Sequence, residues 1–344
     1  MNEYDHFFAK ALSCSNQSGK SPLVEEYENA LASFFKVSNV VAVNSGSAAI
    51  QTALQTLGAT HGKKVIVSAT APLPTLIPIS ATGAEISFVD CLPNSPNINP
   101  ESLESALDSN VVAVVEVPLW GYLHDYSDVI KILEKHGIPL IEDAAHSHGS
   151  DIDGKYSGTF GTAGCFSTHQ KKLLSTGEGG FIVTQSADIA NRMRKFSRIG
   201  NLDGKTFGMN FKVSAFTAAV GLARLSNFPT VLANRRKSRL ELLNLLKSSG
   251  LKELFHIGQP NGYNLVFDTA EFPKQNIQQV ISEMGIELDT LKYGYKCGYK
   301  HHLFFDTTLT CKNAESLINR LIQLPTDSDD NDAISENVLK AINA

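Results

Sequence analysis

Two adjacent lysines and a glycine-rich turn lie together in one stretch of the sequence. Residues 164–180 read GCFSTHQKKLLSTGEGG, which predicts a short strand, a polar turn carrying Lys171 and Lys172, and a tight closing turn. Upstream, Asp143 follows the apolar run 138–141. A lysine after one strand and a carboxylate after another can supply the nucleophile and the acid of Schiff-base chemistry.

These two residue types are what pyridoxal phosphate requires from a protein. The lysine forms a Schiff base with the cofactor, and the acid keeps the pyridine nitrogen protonated so that the ring withdraws electrons. Each feature also has an ordinary structural interpretation. Lysines are mostly solvated at the surface, an aspartate after a strand can cap a helix, and a glycine run can be only a turn.

A third feature could hold a phosphate group. Val40–Val43 predicts a strand, and Ser45-Gly46-Ser47 then begins a helix. A helix N-terminus presents unpaired backbone N–H groups, and hydroxyls beside them favour a bound anion. The alternative is that Ser45 or Ser47 is only a helix cap.

The composition excludes several classes of protein. The chain has 344 residues, 42% of them hydrophobic, and a formal net charge of −5, as in an ordinary globular protein. Acids and bases are mixed along the chain, so we expect neither a nucleic acid nor a membrane as partner. The five cysteines are widely spaced and predict neither a disulfide framework nor a metal site. With no signal peptide or membrane span visible in the sequence, we expect a cytoplasmic protein.

Strands and helices alternate in the first part of the chain. This alternation predicts a doubly wound α/β domain whose mostly parallel sheet places its ligands at the carboxyl ends of the strands. Strands are predicted at 40–43, 65–67, 86–90, 111–117, 138–141 and 181–184, and helices at 20–38, 101–108, 126–136 and 187–198.

The pattern changes after the sheet. Two helices are predicted at about 214–227 and 230–249, and a smaller α+β domain follows. Its predicted elements are a strand at 265–267 and helices at 274–284 and 313–322. We predict a large domain over residues 1–235 and a small C-terminal domain over residues 236–344.

Four motifs occur in order along the chain. They are Ser45-Gly46-Ser47-Ala48, Glu142-Asp143-Ala144-Ala145-His146-Ser147-His148-Gly149, the stretch from Phe166 to Gly180, and Gly208-Met209-Asn210-Phe211-Lys212-Val213. Together they resemble the motifs of the DegT/DnrJ/EryC1/StrS sugar aminotransferases, which are fold-type I pyridoxal phosphate enzymes. The resemblance implies that fold, with a large doubly wound domain and a smaller α+β domain.

The resemblance also implies roles for residues near the cofactor ring. In the family the Schiff-base lysine lies five residues before the first glycine of GEGG, which selects Lys172 over Lys171. Asp143 would pair with the pyridinium nitrogen. His146 would lie near the phenolic oxygen of the ring and tune the Schiff base by hydrogen bonding.

The phosphate end of the cofactor would be held by a second set of residues. By resemblance, Ser45, Gly46 and Ser47 would bind the phosphate with help from Ser167. The motif asparagine, Asn210, would reach the phosphate in the partner subunit. The resemblance therefore implies a homodimer with shared sites.

The sequence departs from the family in three places. Most relatives stack an aromatic on the cofactor ring from a segment that here reads Thr70-Ala71-Pro72-Leu73-Pro74-Thr75. We assign Pro72 to that place, with cover by another aromatic as the alternative. The segment 292–299, KYGYKCGY, replaces a substrate-facing segment, and we interpret it as a polar surface strand, although it could contact a sugar or phosphate. His301-His302 is interpreted as solvated or structural, not as a metal site.

The implied function is transfer of an amino group from an amino acid, glutamate in most of the family, to a keto sugar. The acceptor is expected to be nucleotide-linked, and a free keto sugar or a cyclitol is the alternative. A pyridoxamine-dependent sugar dehydratase is a further alternative, but family members of that type replace the lysine by histidine, and Lys172 argues against it. The last alternative is a non-catalytic relative that only binds the cofactor.

Overall fold

A seven-stranded sheet forms the centre of the chain in the computed structural model, which describes residues 3–270, 274–285, 294–327 and 330–343. Its strands are β1 (Asn39–Val43), β2 (Lys64–Ser68), β3 (Glu85–Val89), β4 (Val111–Glu116), β5 (Leu140–Asp143), β8 (Ala163–Ser167) and β9 (Gly180–Thr184). Their order across the sheet is β1-β9-β8-β5-β4-β2-β3. Pairs from β8 to β3 are parallel, while β9 is antiparallel to both β1 and β8. The prediction of a mostly parallel sheet is confirmed.

Helices cover both faces of this sheet. In β1, Val41 and Val43 belong to one apolar cluster, whereas Val40 and Ala42 belong to another. Successive residues of a strand point to opposite faces, so both faces are buried, as parallel sheets require. The helices of this part are α1 (Glu3–Ser13), α2 (Pro22–Phe35), α3 (Gly46–Thr56), α4 (Leu73–Ser80), α5 (Pro100–Ala106), α6 (Ser127–His136) and α7 (Ala187–Ser197), and a two-stranded hairpin is formed by β6 (Asp151–Ile152) and β7 (Lys155–Tyr156).

Polar residues fix where several helices begin. Each of these caps accepts a hydrogen bond from a backbone N–H of the first helical turn, which would otherwise lack a partner. Two of the capped helices, α2 and α5, also have proline in their first turn, where its missing N–H costs nothing. The capping residues are Ser21, Ser45, Asn99, Ser186 and Ser214.

The two helices predicted at about 214–227 and 230–249 are a single helix, α8 (Ala215–Leu245), so that prediction is wrong. Pro229 lies inside it and removes one backbone hydrogen bond. The buried face nevertheless continues on both sides of the proline through Leu225, Phe228 and Leu232, and this packing keeps the helix intact. The predicted domain boundary at residue 235 falls within α8 and stays a prediction.

The C-terminal part carries its own small sheet. Strands β10 (Lys252–Glu253), β11 (Asn264–Asp268) and β12 (Leu321–Pro325) pair antiparallel, with helices α9 (Lys274–Glu283), α10 (Lys312–Arg320) and α11 (Asn331–Asn343). The predicted helix at 313–322 is therefore too long. Its last residues belong to β12 because Leu321 and Ile322 pair with β11.

A nearly buried ion pair joins α8 to this small sheet. Arg239 of α8 contacts Glu253 of β10, and the two side chains are only 8% and 14% exposed. Glu253 also accepts a hydrogen bond from the hydroxyl of Tyr122 at 2.6 Å. Removing one partner of such a pair leaves an uncompensated buried charge.

The substitution Arg239→Met should lower the free energy of unfolding by about 3–5 kcal/mol, because Glu253 would stay buried without its cation. The matched control is Arg235→Met on the same helix, since Arg235 pairs with Asp327, whose side chain is 62% exposed. That change should cost no more than about 1 kcal/mol. Urea denaturation of both variants measures the difference, and equal losses would contradict the account.

Candidate active site

Asp143 ends β5 at the carboxyl edge of the parallel strands. The predicted strand at 138–141 is displaced by two residues, so Asp143 is the last residue of the strand and not a residue after it. Its carboxylate is buried. One oxygen accepts a hydrogen bond from the Thr75 hydroxyl at 2.6 Å, and the other accepts the Ala145 N–H at 3.3 Å. Burial raises the pKa of Asp143, and these two donors and the nearby Lys172 oppose the rise. Such a carboxylate is suited to a cationic partner.

Glu142, the neighbouring acid, has a different task. Its buried carboxylate accepts backbone N–H groups from Gly158, Phe160 and Gly161 at 2.7–2.8 Å. Burial raises the pKa of Glu142 to about 7, against the effect of these hydrogen bonds. Side chains alternate along a strand, so Glu142 fixes the turn before β8 while Asp143 faces the site.

The loop after β8 holds Lys172. The Lys172 N–H donates to the carbonyl of His169 at 2.9 Å, and Thr168 bonds to Thr176 through backbone and side-chain atoms. At Gly179 a Cβ atom would lie 2.5 Å from the hydroxyl oxygen of Thr168, so only glycine fits there. The glycine turn therefore closes the loop that carries the lysine.

His146 and the loop lysine both lie close to the ring of Tyr263. The His146 imidazole stacks on Tyr263 with ring centroids 4.7 Å apart, and the Lys172 Nζ is 5.3 Å from the centroid of the same tyrosine ring. The N–H of Trp120 donates to Nδ1 of His146 at 3.4 Å. Burial, and then Lys172, hold the pKa of His146 well below its usual value. The imidazole is therefore neutral, and because Nδ1 accepts, Nε2 carries the proton and is a donor.

The serines predicted to bind phosphate meet at the start of α3. Ser45 caps the helix, with its hydroxyl accepting the Ala48 N–H at 3.1 Å. A Cβ atom on Gly46 would lie 2.7 Å from Cβ of Ser167, so glycine lets the helix approach β8 closely. Ser47 is exposed beside the N–H groups of the first turn. These residues lie together, in an arrangement that fits an anion.

Pro72 stands immediately before α4 and is partly exposed. An aromatic pair lies beside this segment. The Tyr295 hydroxyl donates to the carbonyl of Thr70, and its ring packs edge-to-face on Trp120 with centroids 5.6 Å apart. Aromatic side chains from elsewhere in the chain thus lie beside the segment that contains Pro72.

Part of the 292–299 segment differs from its prediction. Lys292 and Tyr293 lie outside the described residues. The rest is not a surface strand, because Cys297 and Tyr299 are buried and Gly298–Lys300 forms a short helical turn. The Gly298 N–H donates to the carbonyl of Ala69 at 2.7 Å, which holds the segment against the large sheet.

Asn210 is exposed and contacts Asn44, the residue before Ser45. Its carbonyl accepts a hydrogen bond from the Asn44 side-chain amide at 3.5 Å, its amide oxygen accepts one from Lys212, and its backbone pairs with Arg198. The neighbouring loop exposes large apolar side chains, with Leu202 80% and Phe207 73% exposed. Asn210 is therefore not brought to Lys172 within one subunit by any contact described above.

His301 and His302 are not part of a metal centre in the described part of the chain, where no group of three or more His, Cys, Asp or Glu side chains could hold an ion. Burial, and then Lys296, lower the pKa of His301. Among the residues the structure describes, no helix has both the length and the apolar character to cross a membrane.

The sequence did not point to Thr75, Asn261 or Tyr263. Asn261 is buried, and its amide donates to the carbonyls of His146 and His148 at 2.9 and 3.0 Å. Its only signal in the sequence is Asn261-Gly262, a common turn. All three residues act across long separations in the chain, which a local pattern does not reveal.

Known proteins are similar to this chain over most of its length. The sequence model of the DegT/DnrJ/EryC1/StrS aminotransferase family matches residues 5–343. GDP-perosamine synthase of Caulobacter vibrioides is 31% identical over 62% of this chain and 59% of its own length. L-glutamine:2-deoxy-scyllo-inosose aminotransferase of Streptomyces lividus is 30% identical over 67% of this chain and 58% of its own length. The matched region thus spans about six tenths of the length of these relatives.

A solved structure matches nearly the whole chain. The structure of DesI in the presence of its TDP-sugar product has a TM-score of 0.89 and 27% identity, covering 98% of this chain and 89% of DesI. The predicted fold class is confirmed.

Replacing Thr75 by valine removes the hydroxyl that donates to Asp143 and keeps the volume. A hydrogen bond to a charged group contributes about 1.5–3 kcal/mol, and we expect that loss in unfolding free energy at about pH 8. Without the donor the pKa of Asp143 in the folded state rises further, so the loss should disappear as the pH falls through that raised pKa and the carboxyl is protonated. Urea denaturation across this pH range measures it.

Two control variants accompany this change. Thr75→Ser keeps a donor and should restore most of the stability. Thr52→Val is the matched control, because the Thr52 hydroxyl is equally buried and has no hydrogen-bond partner among the described residues. If the two valine variants respond identically to pH, Thr75 does not support the charge of Asp143.

Proposed function

Because the chain belongs to the DegT/DnrJ/EryC1/StrS aminotransferase family, we propose that it transfers an amino group from an amino acid to a keto sugar with pyridoxal phosphate bound at Lys172. The observation that carries this proposal is the meeting of Lys172, the buried Asp143 and the neutral His146 at the carboxyl edge of the large sheet.

The described residues fit the cofactor. Pyridoxal phosphate, when bound, supplies a ring that withdraws electrons from the carbon next to the transferred nitrogen. Asp143 is buried with two neutral donors, so the cationic partner it favours would be the protonated pyridine nitrogen. The Nε2–H of His146 is the donor that a phenolic oxygen requires. The N–H groups at the start of α3, with Ser47 and Ser167, would bind the phosphate.

Lys172 has two tasks in this proposal. Its amine first holds the cofactor covalently. Once the amino donor has displaced it, the Nζ atom would be free to take the proton from the α-carbon of the donor and pass it to the cofactor within the same half of the reaction, and to carry out the reverse proton transfer with the keto acceptor in the second half.

The identity of the substrate is less closely defined than the residues of the site. Names of relatives support it: one forms GDP-perosamine, which favours a nucleotide-linked keto sugar, and another acts on 2-deoxy-scyllo-inosose with L-glutamine, which keeps a non-nucleotide acceptor and glutamine as donor open. We propose a nucleotide-linked acceptor with glutamate as donor. A cytoplasmic location is part of the proposal, since all five cysteines are free thiols.

Substituting Lys172 by alanine should abolish both amino transfer and covalent capture of the cofactor. The measurement is borohydride reduction of the loaded protein followed by peptide mass spectrometry, which should locate the cofactor on Lys172 of the parent and find none in the variant. Lys171→Ala is the matched control and should retain the modification on Lys172. Modification of Lys171 in the parent would overturn the assignment.

We also propose a homodimer in which Asn210 serves the site of the partner subunit. Support comes from the exposed loop 199–209, where Ile199, Leu202, Phe207 and Met209 present large apolar side chains on one stretch next to Asn210. Exposed apolar surface of this kind marks an interaction site. Two copies that cover each other's loops would bring Asn210 to a site that lacks it.

Mixing two inactive variants tests this arrangement. Lys172→Ala and Asn210→Ala subunits are unfolded together, refolded together and assayed. If Asn210 acts in the partner's site, each mixed dimer carries one site with both defects and one site with none, and activity returns. If Asn210 acts in its own subunit, every site keeps one defect and the mixture stays as inactive as the separate variants.

A further inference from the structure

We infer that Tyr263 is a positioning residue of the active site. Its ring stacks on the imidazole of His146 and so fixes its plane, and the same ring binds the ammonium group of Lys172 through a cation–π contact. This inference rests on the proposed function for its meaning, but not for its geometry. The ring stacks on His146 with an interplanar angle of 19°, and the Lys172 Nζ lies 5.3 Å from its centroid. One side chain thus contacts both Lys172, which would act on the substrate, and His146, which would bind the cofactor ring.

Hydrogen bonds and close packing hold the turn that carries Tyr263 in one position. It precedes β11, and its backbone N–H donates to the side-chain oxygen of Asn261 at 2.9 Å. Between them, Gly262 is pressed against α8, since a Cβ atom there would lie 2.5 Å from the carbonyl oxygen of Arg235. The Thr326 hydroxyl also donates to the Gly262 carbonyl. The turn carrying Tyr263 is therefore fixed on three sides.

The same turn is tied to the other contacts of His146. Asn261 donates to the His146 carbonyl, and its own N–H donates to Ser150 Oγ at 3.1 Å. Ser150 in turn donates to the carbonyl of Gly121 at 2.7 Å, next to the Trp120 N–H that holds Nδ1 of His146. The imidazole is thus fixed at its nitrogen, its backbone and its face by one connected set of hydrogen bonds and packing contacts.

The backbone of Trp120, which donates to His146, adopts an unfavourable conformation. Its φ is 57°, in the left-handed region, which is unfavourable for a residue with a side chain. That conformation belongs to the turn that presents its N–H to His146. Strained backbone of this kind persists only where the surroundings hold it, and it concentrates at functional sites.

The two contacts of the Tyr263 ring have different physical effects. Stacking restricts the imidazole to one plane, so that Nε2–H keeps one direction. The ring face attracts a cation by about 0.5–2 kcal/mol, depending on how far the pair is shielded from water. Once the released Lys172 amine has taken up a proton, its ammonium group would therefore stay inside the site, beside the group to which the proton must pass.

The test uses the full chain with the cofactor removed, so it does not depend on amino transfer. Lys172 is acetylated with limiting acetic anhydride across a pH series, and labelling is quantified by peptide mass spectrometry. Only the neutral amine reacts. Loss of the ring in Tyr263→Leu should raise labelling at neutral pH about twofold to thirtyfold, which is the fold-change equivalent of the cation–π attraction. Tyr263→Phe keeps the ring and should label like the parent.

A second readout follows His146 directly. In protein labelled with nitrogen-15 in histidine, the signal that disappears in His146→Gln belongs to this residue. The parent and Tyr263→Phe should show a single Nε2–H tautomer, and Tyr263→Leu should show an averaged signal of mixed tautomers. A merely structural tyrosine would leave the tautomer unchanged.

Control variants separate the outcomes. Tyr156→Leu removes a comparable ring from Lys36, whose Nζ lies 5.6 Å from the Tyr156 centroid, and should leave Lys172 labelling unchanged. Tyr263→Met provides a second variant without the ring if the leucine variant does not fold. Unchanged labelling and tautomer in a folded variant without the ring overturn the inference, as does a phenylalanine variant that behaves like leucine. Failure of the proposed function would appear separately, as absence of cofactor on Lys172.

Discussion

The buried carboxylate of Asp143 is the constraint on which the site depends. A carboxylate without a compensating partner is costly to bury, and the only donors described within hydrogen-bonding distance of it are the Thr75 hydroxyl and the Ala145 N–H. Burial raises its pKa, the nearby Lys172 opposes that rise, and a further cation beside the carboxylate would stabilise its charge. Because Asp143 is the last residue of the central strand β5, such a cation would bind at the carboxyl edge of the sheet. The lysine loop, the imidazole and the start of α3 are arranged around that point.

The parallel strands bring residues that are distant in the sequence to the same edge of the sheet, beside Asp143. The carboxyl ends of β4, β5 and β8 lie side by side, and chain segments that leave these ends carry Trp120, His146 and Lys172. The C-terminal part covers one face of the His146 imidazole, because the turn before β11 stacks the Tyr263 ring on it. The large sheet thus supplies the reacting groups, and the segment before β11 sets their orientation.

The sequence was sufficient for features with a local cause. Alternating apolar runs predicted the large sheet and most of its helices, and the motifs placed Lys172, Asp143, His146 and the serines at one edge. It failed where packing overrides local signals, since Pro229 predicts a helix break that the buried face of α8 prevents. It also missed Thr75 and Tyr263, because their partners lie far away in the chain and neither residue type has a characteristic pattern for such contacts.

The most direct test of the central claim is a single-turnover measurement with the amino donor alone. When the protein loaded with pyridoxal phosphate is mixed with glutamate, and no keto sugar is present, it should release 2-oxoglutarate in an amount equal to the concentration of Lys172 sites and then stop. The nitrogen would remain on the enzyme until an acceptor arrives. Release of no oxo acid from glutamate, or from glutamine in the same experiment, would contradict the assignment of this site to amino transfer.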